Sequence, residues 1–321
     1  MALVETVKGP IDSGQLGTTL MHEHVFVLNE EIRRNFPGDW DEQERIDDAA
    51  AKLTALARRG CTTIADPTVL GLGRDIARIQ QVASRTDLNI IAATGLYTYN
   101  DVPLYFRYRG LGQHGTADDP MTQMFISDVT TGITGTEVKA AFLKCAIEAE
   151  GMTPGVERVL RCVGYAHLAT GAPITVHTHP GSQSGLTALA ILRELGADLS
   201  KVVLGHSGDT PDVDHLAELA DTGCLLGMDR FGLNLEISFE QRADTVAALC
   251  ARGYAGSMVL SHDASCFIDW FGMEQIPLFA PQWHFEHLFD DVFPALAERG
   301  VTQQQLDTML IDNPRRYFGG E

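Results

Sequence analysis

Residues 20–27, LMHEHVFV, read as a short β-strand: Leu20, Val25, Phe26 and Val27 give it the apolar, β-branched and aromatic content of a buried strand, and His22 and His24 sit two apart within it. Side chains alternate across a strand, so both imidazoles are expected on one side, as two ligands of one metal ion require. Seven more segments of this kind follow along the chain: Thr62–Asp66 (TTIAD), Asn89–Gly95 (NIIAATG), Ala140–Lys144 (AAFLK), Pro173–His177 (PITVH), Lys201–His206 (KVVLGH), Gly223–Asp229 (GCLLGMD) and Ser257–Asp263 (SMVLSHD). Amphipathic stretches such as DDAAAKLTALARRG, SGLTALAILRELG and QRADTVAALCARG lie between them and end in Gly, the residue that best adopts a helix C-terminal turn. Eight strands alternating with helices predict an α/β fold closed into a (β/α)8 TIM barrel, spanning residues 1–321 as a single domain. An open doubly wound sheet is disfavoured, because no G-x-G-x-x-G follows the first strand and Gly71-Leu72-Gly73 stands alone.

Two connections are long. Thr98–Thr136 is rich in aromatics and Ala264–Pro281 (ASCFIDWFGMEQIPLFAP) is strongly apolar; both follow strands, so both are expected as long loops over the C-terminal face of the barrel.

That face is where this fold assembles active sites, and the strand ends carry the chemistry. Lys144 closes the fourth strand, His177 the fifth, His206 the sixth and Asp263 the eighth, while Arg230 follows the seventh. Each has an ordinary structural explanation alone, but their joint placement points to a metal site. Four histidines and an aspartate exceed the three protein ligands of a single catalytic zinc, so two divalent ions are expected. Zinc comes first, with cobalt, iron or manganese also compatible. A lysine ammonium beside two cations is repelled, so Lys144 is expected neutral or carboxylated by carbon dioxide into an anionic bridge. A hydroxide held between the ions is the expected nucleophile, with Asp263 as ligand and proton carrier. His177 and His179 share a face, which leaves the fifth-strand ligand open, whereas His262 next to Asp263 points away and supports rather than ligates. His114, His167, His215, His284 and His287 fall in loops or helices without converging partners and receive no catalytic role.

The formal charge of -19 argues against nucleic acid and anionic membrane as partners. No basic leader, no long apolar span and no C-x-x-C pair occur, so a cytoplasmic protein with reduced cysteines at 61, 145, 162, 224, 250 and 266 is expected.

The segments GTTLMHEHVFV, ADPT, TGLY, FLKCA, ITVHTH, VVLGHSGDT, GMDRFGLN and LSHDAS, in this order from about Thr18 to NPRRYF, resemble the phosphotriesterase-like lactonases of the amidohydrolase superfamily. The resemblance implies a binuclear centre. His22, His24 and Asp263 would hold the more buried ion, His177 and His206 the more exposed one, with carboxylated Lys144 and a hydroxide bridging them. It selects His177 over His179 and implies a homodimer. Tyr97 in TGLYTY and Arg230 in GMDRFG match positions that shape the site in lactonase-like members, and the short FGLNLEIS after Arg230 sets the chain apart from true phosphotriesterases. A lactone substrate is therefore expected, N-acyl-homoserine lactones foremost, with weak phosphotriesterase activity. Phe267, Ile268, Trp270, Phe271 and Met273, with Ile276 and Leu278, would form an acyl-chain groove, and Tyr97 would donate a hydrogen bond to the oxyanion or ring. The alternatives are a true organophosphate hydrolase, another carboxylic-ester hydrolase, or a non-catalytic barrel that carries a hydrophobic ligand.

Overall fold

The apolar runs become strands that pair in chain order: β1 (Thr19–Leu20), β2 (Thr63–Asp66), β3 (Asn89–Gly95), β4 (Phe142–Ala146), β5 (Ile174–His177), β6 (Val202–Gly205), β7 (Leu225–Met228) and β8 (Met258–Leu260). Every pairing in this eight-stranded sheet is parallel. The computed structural model describes residues 2–38 and 40–320, so positions 1, 39 and 321 of the expected unit lie outside it. Between β1 and β8 the sheet curls almost shut: the Met21 amide donates to the Leu260 carbonyl at 3.5 Å, and the Asp263 amide to the His22 carbonyl at 3.0 Å. The result is the expected (β/α)8 barrel.

The helices on the outside are α1 (Glu42–Arg58), α2 (Ile76–Ala83), α3 (Pro120–Thr130), α4 (Pro154–Thr170), α5 (Ser184–Leu195), α6 (Val213–Asp221) and α7 (Phe239–Ala251), with a run of shorter helices ending at Asn313–Gly319. Their starts are set by side chains that take orphan amides, such as Asp41 for α1, Thr153 for α4 and the Ser238–Gln241 capping box of α7. Two layers of packing result. One joins the helices to the outward strand faces; the other, with Ala65, Ile91, Ala93, Phe142, Val203, Leu225 and Val259, fills the barrel interior together with Tyr317, whose hydroxyl meets Thr175 at 3.0 Å. All six cysteines are free and buried. No helix among the described residues is long and apolar enough to cross a membrane.

Three expectations need correction. The first strand is not continuous over Leu20–Val27: it stops at Leu20, and His24–Val27 leaves the barrel to pair in parallel with Ser265–Ile268. The buried Glu23 carboxylate is the physical reason, for it accepts from the His262 and Ala264 amides and draws the chain out of the ladder. The fourth strand runs two residues beyond Lys144, which therefore lies within it rather than closing it. Of the two long connections, Thr98–Thr136 folds beside the barrel rather than over its mouth: it contains α3, and Asp119 at its foot forms a buried ion pair with Arg158 of α4 at 2.7 Å.

Candidate active site

The strand ends bring the predicted polar residues together. His177 ends β5, His206 follows β6, Arg230 lies two residues after β7 and Asp263 three after β8. His206 and Asp263 hold left-handed backbone angles, φ 65° and 55°, which cost non-glycine residues energy and turn their side chains back over the barrel mouth. Gly95 on β3 lies against Lys144: any Cβ there would collide with the Lys144 carbonyl, so only glycine allows the close approach. His22 and His24 converge despite the strand break, each presenting Nε2 to Asp263 Oδ1, at 3.4 and 3.3 Å. Two donors about 2.1 Å from one ion at a tetrahedral angle stand about 3.4 Å apart. The spacing fits one divalent cation between these three residues.

The hydrogen bonds on the far side of each ring sharpen that fit. His22 Nδ1 meets Asp229 Oδ2 at 3.0 Å and His206 Nδ1 meets Asp229 Oδ1 at 3.0 Å. His177 Nε2 meets Glu148 Oε1 at 2.8 Å. His24 Nδ1 meets Thr68 Oγ1 at 2.6 Å, and that hydroxyl donates to Asp66 Oδ1 at 2.5 Å. Carboxylates only accept, so each of these ring nitrogens carries its proton; the opposite nitrogens of His22, His177 and His206 are then lone pairs, while His24 Nε2, beside Asp263, is open to either a proton or a metal. His206 Nε2 and His177 Nδ1 then face one another at 2.8 Å, and His22 Nε2 faces Lys144 Nζ at 3.4 Å. Lone pairs aimed at each other and at the Asp263 carboxylate repel unless a cation lies among them. These residues therefore fit divalent metal, and the carboxylates behind the histidines fix the tautomers that metal binding needs.

Electrostatics follow from burial and from this crowding. Burial, with Lys144 nearby, depresses His22 to about 4. Burial also opposes charge on His24, but the Asp263 and Asp66 carboxylates outweigh it and raise its pKa to about 9. A proton there occupies the lone pair that a metal would take. Burial brings Lys144 down to about 8. Asp263 stays well below the usual carboxylate range against its burial, because His22, His206, His24 and Arg230 surround it. Glu148, also against burial, is held at about 2 by hydrogen bonds from His177 and Tyr97.

Above this floor opens a cavity of about 260 Å³, with Val27, Leu72, Leu233, Leu235, Ile268, Trp270, Phe271, Phe279 and Trp283 among its walls. Tyr97, Glu148 and Arg230 also line it, but no residue of 98–136 does. Ile268, Trp270 and Phe271 stand where the acyl groove was expected; Phe267 and Met273 do not. Phe267 follows the strand alternation to the other side of the His24–Val27 ribbon, where it packs on Trp40 at 5.3 Å and on the Arg45 guanidinium at 4.6 Å. Met273 faces two neighbouring hollows, Ile276 lines one of these, and Leu278 is 84% exposed. His179 is outside the cavity, so the fifth strand offers it only His177. His262 is fully buried against Glu23, at 2.6 Å, and accepts the Leu288 amide, a support for the loop rather than part of the wall.

Sequence reading missed Asp229, Asp66 and Thr68, which lie behind the candidate ligands, and Glu148, which supports His177 from the cavity wall. For Asp229 a signal exists: Gly205 and Gly227 on neighbouring strands leave the hole its carboxylate fills, since a Cβ at either would press on Asp229 Oδ2. The Tyr97 hydroxyl is also placed differently from expectation, as it donates to Glu148 Oε1 at 2.5 Å. Its single proton is thus not aimed at the cavity.

The chain matches the phosphotriesterase family over residues 2–318. It superposes on the solved phosphotriesterase from Mycobacterium tuberculosis with a TM-score of 0.96 and 53% identity, covering 99% of this chain and 100% of that one. It is 37% identical over 313 residues to the aryldialkylphosphatase of Saccharolobus solfataricus, covering 97% and 98% of the two chains. A third relative, in which organophosphate hydrolysis was engineered from a weak promiscuous lactonase template, superposes with a TM-score of 0.90 at 31% identity over 99% of this chain and 100% of that one. With a barrel, a floor of converging imidazole lone pairs and likeness over nearly its full length, the chain belongs to the phosphotriesterase family.

Proposed function

We propose that this hydrolase opens lactones, N-acyl-homoserine lactones foremost and so quorum-quenching in effect, and acts weakly on organophosphate triesters. The observation that carries the reading is the charge of the cavity wall. Arg230 directs Nε to Asp263 at 3.0 Å and Nη1 to Asp209 at 2.9 Å, so its charge is already met by two carboxylates. Glu148 adds a negative charge and the remaining wall is mostly apolar. An anionic substrate is therefore disfavoured, while a neutral ring ester with an apolar tail suits both parts of the cavity.

Two divalent cations held by His22, His24, His177, His206 and Asp263 would supply Lewis acidity and a water acidic enough to act as nucleophile at neutral pH. Zinc suits this donor set first; cobalt, iron and manganese accept it too. Lys144, wholly buried and lowered to about 8, gives up its proton more readily than an ordinary lysine, and the free amine so formed is the species that would react with carbon dioxide. An Nζ–carbon bond would form, a proton would leave, and the resulting carbamate would supply an anionic donor where an ammonium would be repelled. Asp263 keeps Oδ1 among the histidines, while Oδ2, on Arg230, takes the proton of the attacking water and passes it to the departing alkoxide of the ring. Trp270, Phe271 and Ile268 hold the acyl chain. A homodimer in the cytoplasm belongs to the same proposal.

The second reading, a true phosphotriesterase, is favoured by the 37% identity to an aryldialkylphosphatase. An assay of the metal-loaded protein separates the two. Ring opening of short- and long-chain acyl lactones faster than paraoxon turnover supports the lactonase, and rapid paraoxon turnover without ring opening replaces it with the phosphotriesterase.

A further inference from the structure

Glu148 follows β4, and its neighbour Ile147 is tied to the His177 carbonyl at 2.9 Å, so the Glu148 side chain projects from a fixed backbone. Its Oε1 receives two protons at once, from the Tyr97 hydroxyl at 2.5 Å and from His177 Nε2 at 2.8 Å. The Tyr97 ring is held as well: its edge packs on His177 at 5.5 Å, Trp270 lies 6.4 Å away, and its own amide donates to the Leu70 carbonyl at 2.8 Å. A phenol has one proton. Donated to a carboxylate, it forms a charge-assisted hydrogen bond that an ester carbonyl cannot match. What Tyr97 itself offers the cavity, which both residues line, is the phenolic oxygen with its lone pairs, next to Oε2 of Glu148.

We propose that Glu148 is a positioning residue that turns Tyr97 into a fixed hydrogen-bond acceptor, so that the site selects lactones bearing an N–H on the ring carbon next to the carbonyl. This rests on the lactone reading. An acylamino lactone offers the Tyr97 oxygen a donor. The same ring with an alkyl group in that place leaves a buried acceptor unpaired, at the cost of about one net hydrogen bond. Arg230, across the cavity, cannot serve this N–H, for a guanidinium has no acceptor.

The test compares N-hexanoyl-homoserine lactone with an α-alkyl-γ-butyrolactone of equal chain length on the metal-loaded enzyme. The expected preference for the N–H substrate is about fivefold to tenfold in kcat/KM, carried mainly by KM. Tyr97→Phe removes the acceptor and should bring the ratio near one. Glu148→Leu removes the acceptor of the phenolic proton, so the hydroxyl is free to turn that proton into the cavity and the preference should vanish or invert. Glu148→Asp keeps the charge and should restore part of it. Equal losses on both substrates in Tyr97→Phe and Glu148→Leu would overturn the proposal, because a merely structural role moves both alike. An unchanged ratio in either would also overturn it. If the unmutated enzyme opens neither lactone yet turns over paraoxon, the lactone reading itself has failed and this inference falls with it.

Discussion

At the strand ends, every imidazole facing the cavity has its other nitrogen held by an acceptor, and those acceptors are held in turn, Asp229 by the His206 amide at 2.7 Å and Asp66 by the Thr68 amide at 2.9 Å. In the loop of residues 264–281, by contrast, backbone pairing with the His24–Val27 ribbon ends with the Asp269 amide on the Val27 carbonyl at 3.1 Å. Beyond it Trp270, Phe271, Leu278 and Phe279 are all more than a third exposed. The floor is a polar network in which each member has little freedom. The loop is an apolar surface whose residues have few fixed partners, which is where chain length and shape of substrate can be adjusted without disturbing the chemistry.

The contrast breaks most visibly if the floor tolerates change. Lys144→Ala and Asp263→Asn each remove a charge from among the proposed ligands. Several kcal/mol of transition-state stabilisation is at stake, a loss on the order of a thousandfold in turnover. Elemental analysis should show fewer ions per chain in both variants. Full metal content and activity in Lys144→Ala would remove the bridging lysine from the site.

Asp229 never faces the substrate, so it tests whether the network behind the histidines matters by itself. In Asp229→Asn one of the two carboxylate oxygens becomes an amide donor facing an imidazole N–H, and metal affinity or turnover should fall by about tenfold to a hundredfold. The pH dependence has a definite sign. Burial lowers the affinity of His24 for a proton, but Asp263 and Asp66 raise it to about 9, so below that pH a metal must displace a proton. Zinc affinity, read by competition with a chelator, should weaken by about tenfold per pH unit for this proton as the pH is lowered from 9. A pH-independent affinity over that interval would show that another group fills the space.

The same contrast governs what the sequence reveals. The barrel and the proposed ligands His22, His24, Lys144, His177, His206 and Asp263 are legible because apolar runs mark the strands and polar residues at their ends have few structural uses. The break after Leu20 is not, since the alternation of LMHEHVFV looks unbroken and only the contact of Glu23 with residues 262–264, more than 200 positions away, diverts the chain. Glu148 and Thr68 are equally hidden, as their roles come from side chains reaching across neighbouring strands. In the loop, composition shows that apolar residues are present but not which side of the ribbon each takes, and so Phe267 and Ile268 look alike in sequence and face opposite ways.

That division gives a paired test of smaller size. Trp270→Ala removes a cavity wall and should raise KM for a long-chain lactone about tenfold with kcat little changed. Phe267→Ala removes a ring from beneath Trp40 and Arg45, and should cost roughly 1–3 kcal/mol of unfolding free energy while leaving KM in place. If Phe267→Ala instead changed KM as much as Trp270→Ala, the ribbon would not separate packing from recognition.

The smallest effect is expected at Leu278, 84% exposed and turned away from the cavity. Leu278→Ser should move unfolding stability by less than about 0.5 kcal/mol and leave both kinetic constants unchanged, since an exposed side chain with no fixed neighbours has little to lose. Its interest lies in the other outcome. A leucine this exposed, on a loop with Trp270 and Phe271 also at the surface, is costly to solubility unless something covers it in solution. If Leu278→Ser converted a dimer to a monomer by sedimentation, this part of the loop would be an interface and only Ile268, Trp270 and Phe271 would remain to recognise the acyl chain. If the oligomeric state stayed the same, Leu278 would have neither role.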